Sequence, residues 1–251
     1  MHFNITMKII PLSEGAFTVD KTKQFIQFNH ETDKLQERNP GSLLVEIQPF
    51  VIITSKDILL LDTGLGFTNA NGILQIHQNL KNNNINPSDI TKVLLTHLHK
   101  DHSGGISYLK NEQRDLSFSN AAYYINKQEF DFAFINAKTS YRIEDFEILK
   151  NSLQANFIEG NGVIDDYIYY EVTGAHCPYH QVFWIEDNGE KIFFGGDVVP
   201  QLQQMKNKFV AKYDYDGRKA MQLRQQWKEQ GEKENWTFLF YHDIKTPIFK
   251  F

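Results

Sequence analysis

Three histidines and an aspartate fall within six residues of the stretch Thr96-His97-Leu98-His99-Lys100-Asp101-His102-Ser103-Gly104-Gly105. That is far denser than nine histidines spread over 251 residues would give. Neutral imidazoles and carboxylates are ligands for zinc, manganese or iron, and the cluster's lack of cysteine removes a thiolate structural site. His97 and His99 are two apart, so in an extended turn both can face one cation. Asp101 and His102, just beyond, can turn towards a second. Two cations about 3.5–4 Å apart need a bridging ligand, and a carboxylate suits because each of its oxygens can take one cation.

The elements around the cluster are those a catalytic metal needs. Thr91-Lys92-Val93-Leu94-Leu95 is an apolar, β-branched run that reads as a buried strand leading into it. Beyond it, Ser103-Gly104-Gly105 leads into Ile106-Ser107-Tyr108-Leu109, which reads as a helix start. Ligands on a tight loop at a strand end are rigidly held yet open on one side. His176 and His242 follow predicted strand ends too, as do Asp62 and Asp197. A placement that recurs this often suggests convergence on one rim of the sheets.

Taken in order, Lys8 to Val19 reads as an opening strand or hairpin and Asp20 to Gly41 as a long surface loop bordering the site. Ser42 to Ile47 and Phe50 to Thr54 look like paired strands, and Ile58 to Leu61 is a wholly apolar strand ending at Asp62. Asn71 to Asn82 has helical spacing, and Asn86-Pro87-Ser88-Asp89 is a helix entry. Tyr123 to Ile125 reads as a short strand with mostly helix after it. Tyr167 to Val172 is another strand. Gln181 to Glu186 and Lys191 to Phe194 form a hairpin around Asp187-Asn188-Gly189. Asp216 to Gln230 reads as a helix and Trp236 to Tyr241 as a closing strand. Two halves share a plan: a hairpin ending in an Asp-bearing loop, then helix, then a strand ending in His. That predicts a duplicated αβ unit within one domain spanning residues 1–251.

Composition excludes several classes. A hydrophobic content of 41% and aromatics at 14% supply a sizeable core and argue against disorder. The net charge of −5 comes with no basic cluster of the kind nucleic acid needs. No apolar run spans a membrane, and the N-terminus lacks the features of a secretory signal, while Met7 could serve as a second start. The single cysteine, Cys177, fits a reducing compartment, so the expected location is the cytoplasm. Oligomeric state leaves no clear mark.

Five elements in order resemble the metallo-β-lactamase superfamily over essentially the whole chain. They are Asp62 in Leu61-Asp62-Thr63-Gly64, the set His97-x-His99-x-Asp101-His102, and His176 in Thr173-Gly174-Ala175-His176. Asp197 in Gly195-Gly196-Asp197 and His242 complete it. The resemblance implies an α/β fold, a four-layer αβ/βα sandwich of two mixed sheets flanked by helices. It implies one metal on His97, His99 and His176, and a second on Asp101, His102 and His242, with Asp197 bridging. Asp62 would orient the first loop. His2, His30 and His77 are expected to be solvated or hydrogen-bonded surface residues, His180 a support, Cys177 a packed inert thiol and Asp243 a turn residue.

The implied cofactors are two divalent ions, zinc first, with manganese or iron as alternatives. Binding to such a cation makes water acidic enough to ionise near neutral pH. The resulting bridging hydroxide, oriented by Asp101 or Asp197, would attack an ester, lactone, amide, thioester or phosphoryl centre in a small molecule. The cations would stabilise the developing oxyanion. Branches of the superfamily can be weighed on single residues. The flavin-dependent diiron proteins carry Glu where this chain has His99. Glyoxalase-II-type thioesterases add a helical C-terminal region, absent here. Zinc β-lactamases with a Cys ligand place it where Asp197 stands. Quorum-quenching lactonases place a Tyr three residues after the bridging Asp, where this chain has Pro200. The layout before the last His, with a helix from Asp216 through Arg224, resembles the organophosphate-hydrolase-like branch. Two other classes remain: a mononuclear iron oxidoreductase of the persulfide-dioxygenase-like type, which uses only the first ligand set, and a non-catalytic metal-stabilised binding module.

Overall fold

A computed structural model of the chain describes residues 6–138 and 140–251. Two six-stranded sheets face each other. The first runs β1 (Lys8–Pro11), β5 (Phe50–Ile53), β6 (Ile58–Leu61), β7 (Lys92–Leu94), β10 (Ala122–Asn126), β11 (Ala155–Ile158). The second runs β12 (Gly162–Ile164), β13 (Ile168–Val172), β14 (Gln181–Asp187), β15 (Glu190–Phe194), β16 (Thr237–Leu239), β17 (Ile248–Lys250). A small sheet orders β3 (Phe25–Phe28), β2 (Gly15–Val19) and β4 (Leu43–Ile47), and β8 (Ser107–Lys110) pairs with β9 (Gln113–Leu116).

Strand alternation assigns the layers. Phe50, Ile52, Leu59 and Leu61 point inward and meet Phe183, Ile185, Phe194 and Leu239 of the other sheet. Their neighbours Val51 and Leu60 point outward, into a cluster with Ile76 and Leu80 of α1 (Gln75–Asn82) and Phe130 and Ala133 of α3 (Lys127–Ile135). Phe193 and Phe238 point outward from the second sheet. They pack against Leu202 and Met205 of α4 (Leu202–Lys206) and Ala220 and Trp227 of α5 (Gly217–Glu234). A period of two with both faces apolar is what strands covered by a sheet on one side and helices on the other require. The result is helices, sheet, sheet, helices: the αβ/βα sandwich expected.

The repeated plan is present in the pairing. β5 and β6 are antiparallel and β6 and β7 parallel; β14 and β15 are antiparallel and β15 and β16 parallel. Each parallel step requires a helical crossover, which α1 supplies in the first half and α4 with α5 in the second.

Several local expectations change. The helix expected after Gly105 lies before it instead: α2 (Lys100–Ser103) carries Asp101 and His102, and Ser107 opens β8. The reason is a close passage of two loops. A Cβ on Gly104 would collide with the Leu65 backbone, and one on Gly66, at φ +71°, would collide with the Gly104 carbonyl. β1 and β2 are not a hairpin, and neither are β4 and β5, since each pair divides between the first large sheet and the small one. The segment 20–41 contains β3 besides loop, and the Pro87 entry makes only a single 3₁₀ turn, Pro87–Asp89. His2 lies outside the described residues. Among those described, no helix is long and apolar enough to cross a membrane.

Candidate metal centre

The loop after β7 carries His97 and His99 and is fixed from three sides. Asp62, at the end of β6, accepts from the Thr96 N–H and hydroxyl, both at 2.8 Å. Gln181 of β14 donates its N–H to the Thr96 carbonyl and its side-chain amide to the Leu95 carbonyl. Glu129 of α3, fully buried, accepts from the Leu98 N–H at 3.1 Å, the Tyr141 hydroxyl and the Cys177 thiol. The first turn of α2 is fixed in turn, since the Thr63 N–H and hydroxyl both donate to the His102 carbonyl. The Tyr241 hydroxyl donates to the Asp101 carbonyl at 2.6 Å, and its ring stacks on His102.

Seven side chains converge as two sets of ligand-capable atoms: His97, His99, His176 and Asp197, and Asp101, His102 and His242. Within each set these atoms lie within 4.8 Å of one another. Asp197 stands between them. Its Oδ2 is 3.1 Å from His176 Nε2 and 4.0 Å from His97 Nε2. Its Oδ1 is 3.1 Å from His102 Nε2 and 2.9 Å from His242 Nε2. Asp101 Oδ2 lies 3.7 and 3.6 Å from the same two nitrogens.

Four imidazoles have their second nitrogen tied to an acceptor, His97 Nδ1 lying 3.0 Å from the Thr96 hydroxyl oxygen. His102 Nδ1 lies 2.8 Å from Asp62 Oδ2, His176 Nδ1 2.9 Å from Asp214 Oδ1, and His242 Nδ1 2.7 Å from the Glu46 carbonyl. A hydrogen on Nδ1 leaves the Nε2 lone pair aimed at Asp197 and its surroundings, the tautomer a metal ligand needs. His97 Nε2, His102 Nε2 and Asp197 Oδ1 are buried with no hydrogen-bond partner. Orphaned polar atoms of this kind are costly unless something charged joins them. The residues present therefore fit two divalent cations.

Electrostatics divide the imidazoles, and at His102 and His242 a cation would have to take the place of a proton. Burial and the neighbouring imidazoles push His97 and His99 well below the ordinary histidine range, which keeps them neutral donors. Burial alone would lower His102 too, but Asp197, Asp101 and Asp62 outweigh it and hold it well above. Burial would raise Asp197, yet His102, His242 and His176 hold it well below the carboxylate range.

His180 belongs to neither set: its Nε2 accepts from the Asp197 N–H at 3.2 Å. Asp243 accepts from Leu202, Lys245 and Thr246 N–H groups, as a turn residue does. Burial and Glu129 push the Cys177 thiol well above its ordinary value, so it stays protonated and donates to Glu129. His77 is half-buried with Nε2 against the Ser117 carbonyl. Asp214, Glu129, Tyr241 and the Glu46 carbonyl escape the sequence reading, because none stands at a telling spacing from the histidines.

A cavity of about 1040 Å³ opens from the cluster, lined by His99, Asp101, His176, Asp197 and His242 at its floor. Pro200 and Tyr213 also line it, and segment 20–25 borders it as expected. Burial pushes the Tyr213 hydroxyl up to about 12, so it remains a hydrogen-bond donor at neutral pH.

A family model described as the metallo-beta-lactamase superfamily matches residues 46–242. Among curated proteins, the N-acyl homoserine lactonase AttM of Agrobacterium fabrum is 27% identical over 171 residues, covering 62% of this chain and 59% of that protein. The chain therefore aligns with less than two thirds of that relative's length. Among solved structures, a probable metal-dependent hydrolase from Staphylococcus aureus superposes with TM-score 0.77 at 22% identity, covering 97% of this chain and 92% of the other. AidC, a dizinc quorum-quenching lactonase in complex with a product, gives TM-score 0.71 at 19% identity, covering 96% and 89%. At such identities the structural likeness speaks to fold.

Proposed function

The chain belongs to the metallo-beta-lactamase superfamily, and from that premise we propose that it is a hydrolase working with two divalent cations, zinc first. His97, His99 and His176 would hold one cation, and Asp101, His102 and His242 would hold the other. The observation that carries this reading is Asp197, whose Oδ2 faces the first set and whose Oδ1 faces the second.

Cations bound there supply Lewis acidity towards a carbonyl or phosphoryl oxygen and make water acidic enough to attack at neutral pH. The chain's own groups do the rest. Asp101 and Asp197 accept hydrogen bonds from the attacking water and fix its direction. Asp62, through His102 and Thr96, keeps the ligand loop in register. The Tyr213 hydroxyl, on the cavity wall, can donate to the substrate oxygen that gains charge. The buried floor excludes bulk water, which strengthens each of these contacts.

The relatives' names support a lactone or ester before a phosphotriester, while Pro200 at the position of the lactonase phenol argues against simple transfer of their mechanism. The test combines metal analysis with a hydrolysis screen over lactones, aryl esters, thioesters and phosphotriesters. Two metals per chain and turnover of at least one carbonyl ester are expected. Fewer than two after metal supplementation sinks the two-cation reading. Full activity in Asp101→Ala or His102→Ala protein would point to the mononuclear alternative, and no turnover at full occupancy to a binding module.

A further inference from the structure

The walls of the cavity carry a second pattern that the metal sets leave unexplained. Phe25 and Leu43 of the small sheet line one side, and Phe209 and Val210, before α5, also line it. Leu43, Phe209 and Val210 are 44%, 44% and 48% exposed, although each is a large apolar side chain. Segments distant in sequence thus leave apolar surface open to one cavity, where an apolar group of a ligand would cover it.

Lysines accompany that apolar surface. Lys21, Lys23, Lys100 and Lys212 all line the cavity in a chain whose net charge is −5. Among the described residues none of these four ammonium groups is in an ion pair. Other lysines, such as Lys56, Lys81 and Lys150, are unpaired among those residues as well; what sets these four apart is that they line one cavity together with the apolar wall. Asp101 and Asp197 face the histidines, and the remaining carboxylate in the lining, Asp20, is occupied by Thr22 and Asn39. Lys100 Nζ lies 5.9 Å from the centre of the Phe25 ring, so positive charge and apolar wall adjoin.

We propose that the cavity takes an anionic amphiphile: an acyl ester whose apolar chain covers Phe25, Leu43, Phe209 and Val210, and whose carboxylate or phosphate, remote from the scissile bond, sits among Lys21, Lys23, Lys100 and Lys212. This rests on the hydrolase reading for its chemistry. Water adds across the acyl C–O bond to give acid and alcohol, so no co-reactant is required. Each solvent-screened ammonium contributes a factor of about 1.5–5, and together they set a preference rather than an absolute requirement.

The test uses the metal-loaded protein and three aryl octanoates that differ only in a neutral amide, a carboxylate or a phosphate on the ring. The charged esters are expected to show about tenfold higher kcat/KM than the neutral one, converging as salt reaches about 1 M and the screening length falls to about 3 Å. Comparing carboxylate with phosphate identifies which anion the lysines favour. The double variant Lys23→Gln/Lys212→Gln should erase most of the preference, so that the ratio of charged-ester to neutral-ester kcat/KM falls towards one. Calorimetric binding of octyl phosphate and octanoate, against octanamide, gives a readout without turnover, and the anions should weaken in the double variant at unchanged metal content. Equal kcat/KM for all three esters, or octyl phosphate binding indifferent to the lysine changes, overturns the anion preference while leaving the hydrolase standing. Lysine-dependent anion binding with no ester hydrolysed overturns the hydrolase and leaves the anion site standing.

Discussion

Asp62 and Asp197 occupy the same place in two copies of one plan, and they do opposite things. Each follows the second strand of a hairpin, β6 in one half and β15 in the other, just before the crossover. Asp62 is wholly buried, and its oxygens are taken by Thr96 and His102. Asp197 lies on the cavity floor with Oδ1 lacking any hydrogen-bond partner and four imidazole nitrogens around its carboxylate. A carboxylate whose hydrogen-bonding capacity is filled by protein is a positioning group. One left unfilled between two sets of imidazoles is available to a cation. The two carboxylates thus differ in what surrounds them rather than in their place in the fold.

The sharpest way to break the comparison is to neutralise each carboxylate in turn. Asp197→Asn removes the charge facing both sets and should cost more than the about 10–100-fold associated with groups that support a ligand, with metal content falling below two per chain. Wild-type occupancy and activity in that variant would put the bridge elsewhere. Asp62→Asn should cost about 10–100-fold in metal affinity, concentrated at the set containing His102. Leaving a buried donor of Thr96 or His102 unpaired should lower stability by about 1–3 kcal/mol as well. Cobalt titration followed by absorbance separates the two sets, and a loss confined to the other one would contradict the contact through His102 Nδ1.

In the second half the supporting role passes to Asp214, which reaches His176 Nδ1 from the loop before α5. Asp214→Asn should weaken metal affinity by about tenfold, at the set that contains His176 this time. Its effect is smaller because Asp214 holds one imidazole, whereas Asp62 holds an imidazole and a loop. Equal losses at both sets would show a general loosening instead.

The sequence made Asp62 and Asp197 visible for different reasons than it hid Asp214. An aspartate closing an apolar strand stands out against its neighbours, and His97 to His102 is dense enough to announce itself. The layers were legible too, because Phe50, Val51, Ile52 and their counterparts across the sandwich are apolar on both faces. Asp214 sits in Tyr213-Asp214-Tyr215-Asp216, where nothing marks it out from Asp216, which instead caps α5 by accepting from the Lys219 N–H. Glu129 looks like any exposed helix acid until the fold buries it. The misplaced helix after Gly105 has a similar origin. Gly104 and Gly105 read as punctuation, but what they permit is a contact with the Gly64–Gly66 loop, which is far away in sequence.

That loop also supplies an effect confined to stability and a further contrast between the halves. The loop after β15 is anchored by a neutral imidazole, His180, on the Asp197 N–H, whereas the loop after Asp62 is anchored by a carboxyl group: Glu14 Oε2 accepts from the Leu65 N–H at 2.8 Å. Glu14 is half-buried as a residue, but its carboxyl is tucked against Gly64 with Oε1 shielded and unpartnered. Burial raises it from 4.5 to about 8, against the opposing Leu65 hydrogen bond. The folded chain then binds this proton more tightly than the unfolded chain does. Its contribution is fully present below the unfolded value of 4.5 and is lost as pH rises through about 8. Over that window the loss is on the order of a few kcal/mol. Glu14→Gln keeps an acceptor for Leu65 and cannot ionise, so denaturation midpoints of variant and wild type should coincide near pH 4 and separate towards pH 8, with the variant the more stable. Parallel curves across that range would mean that Glu14 is ionised in place and that both loops are held by groups whose charge does not change.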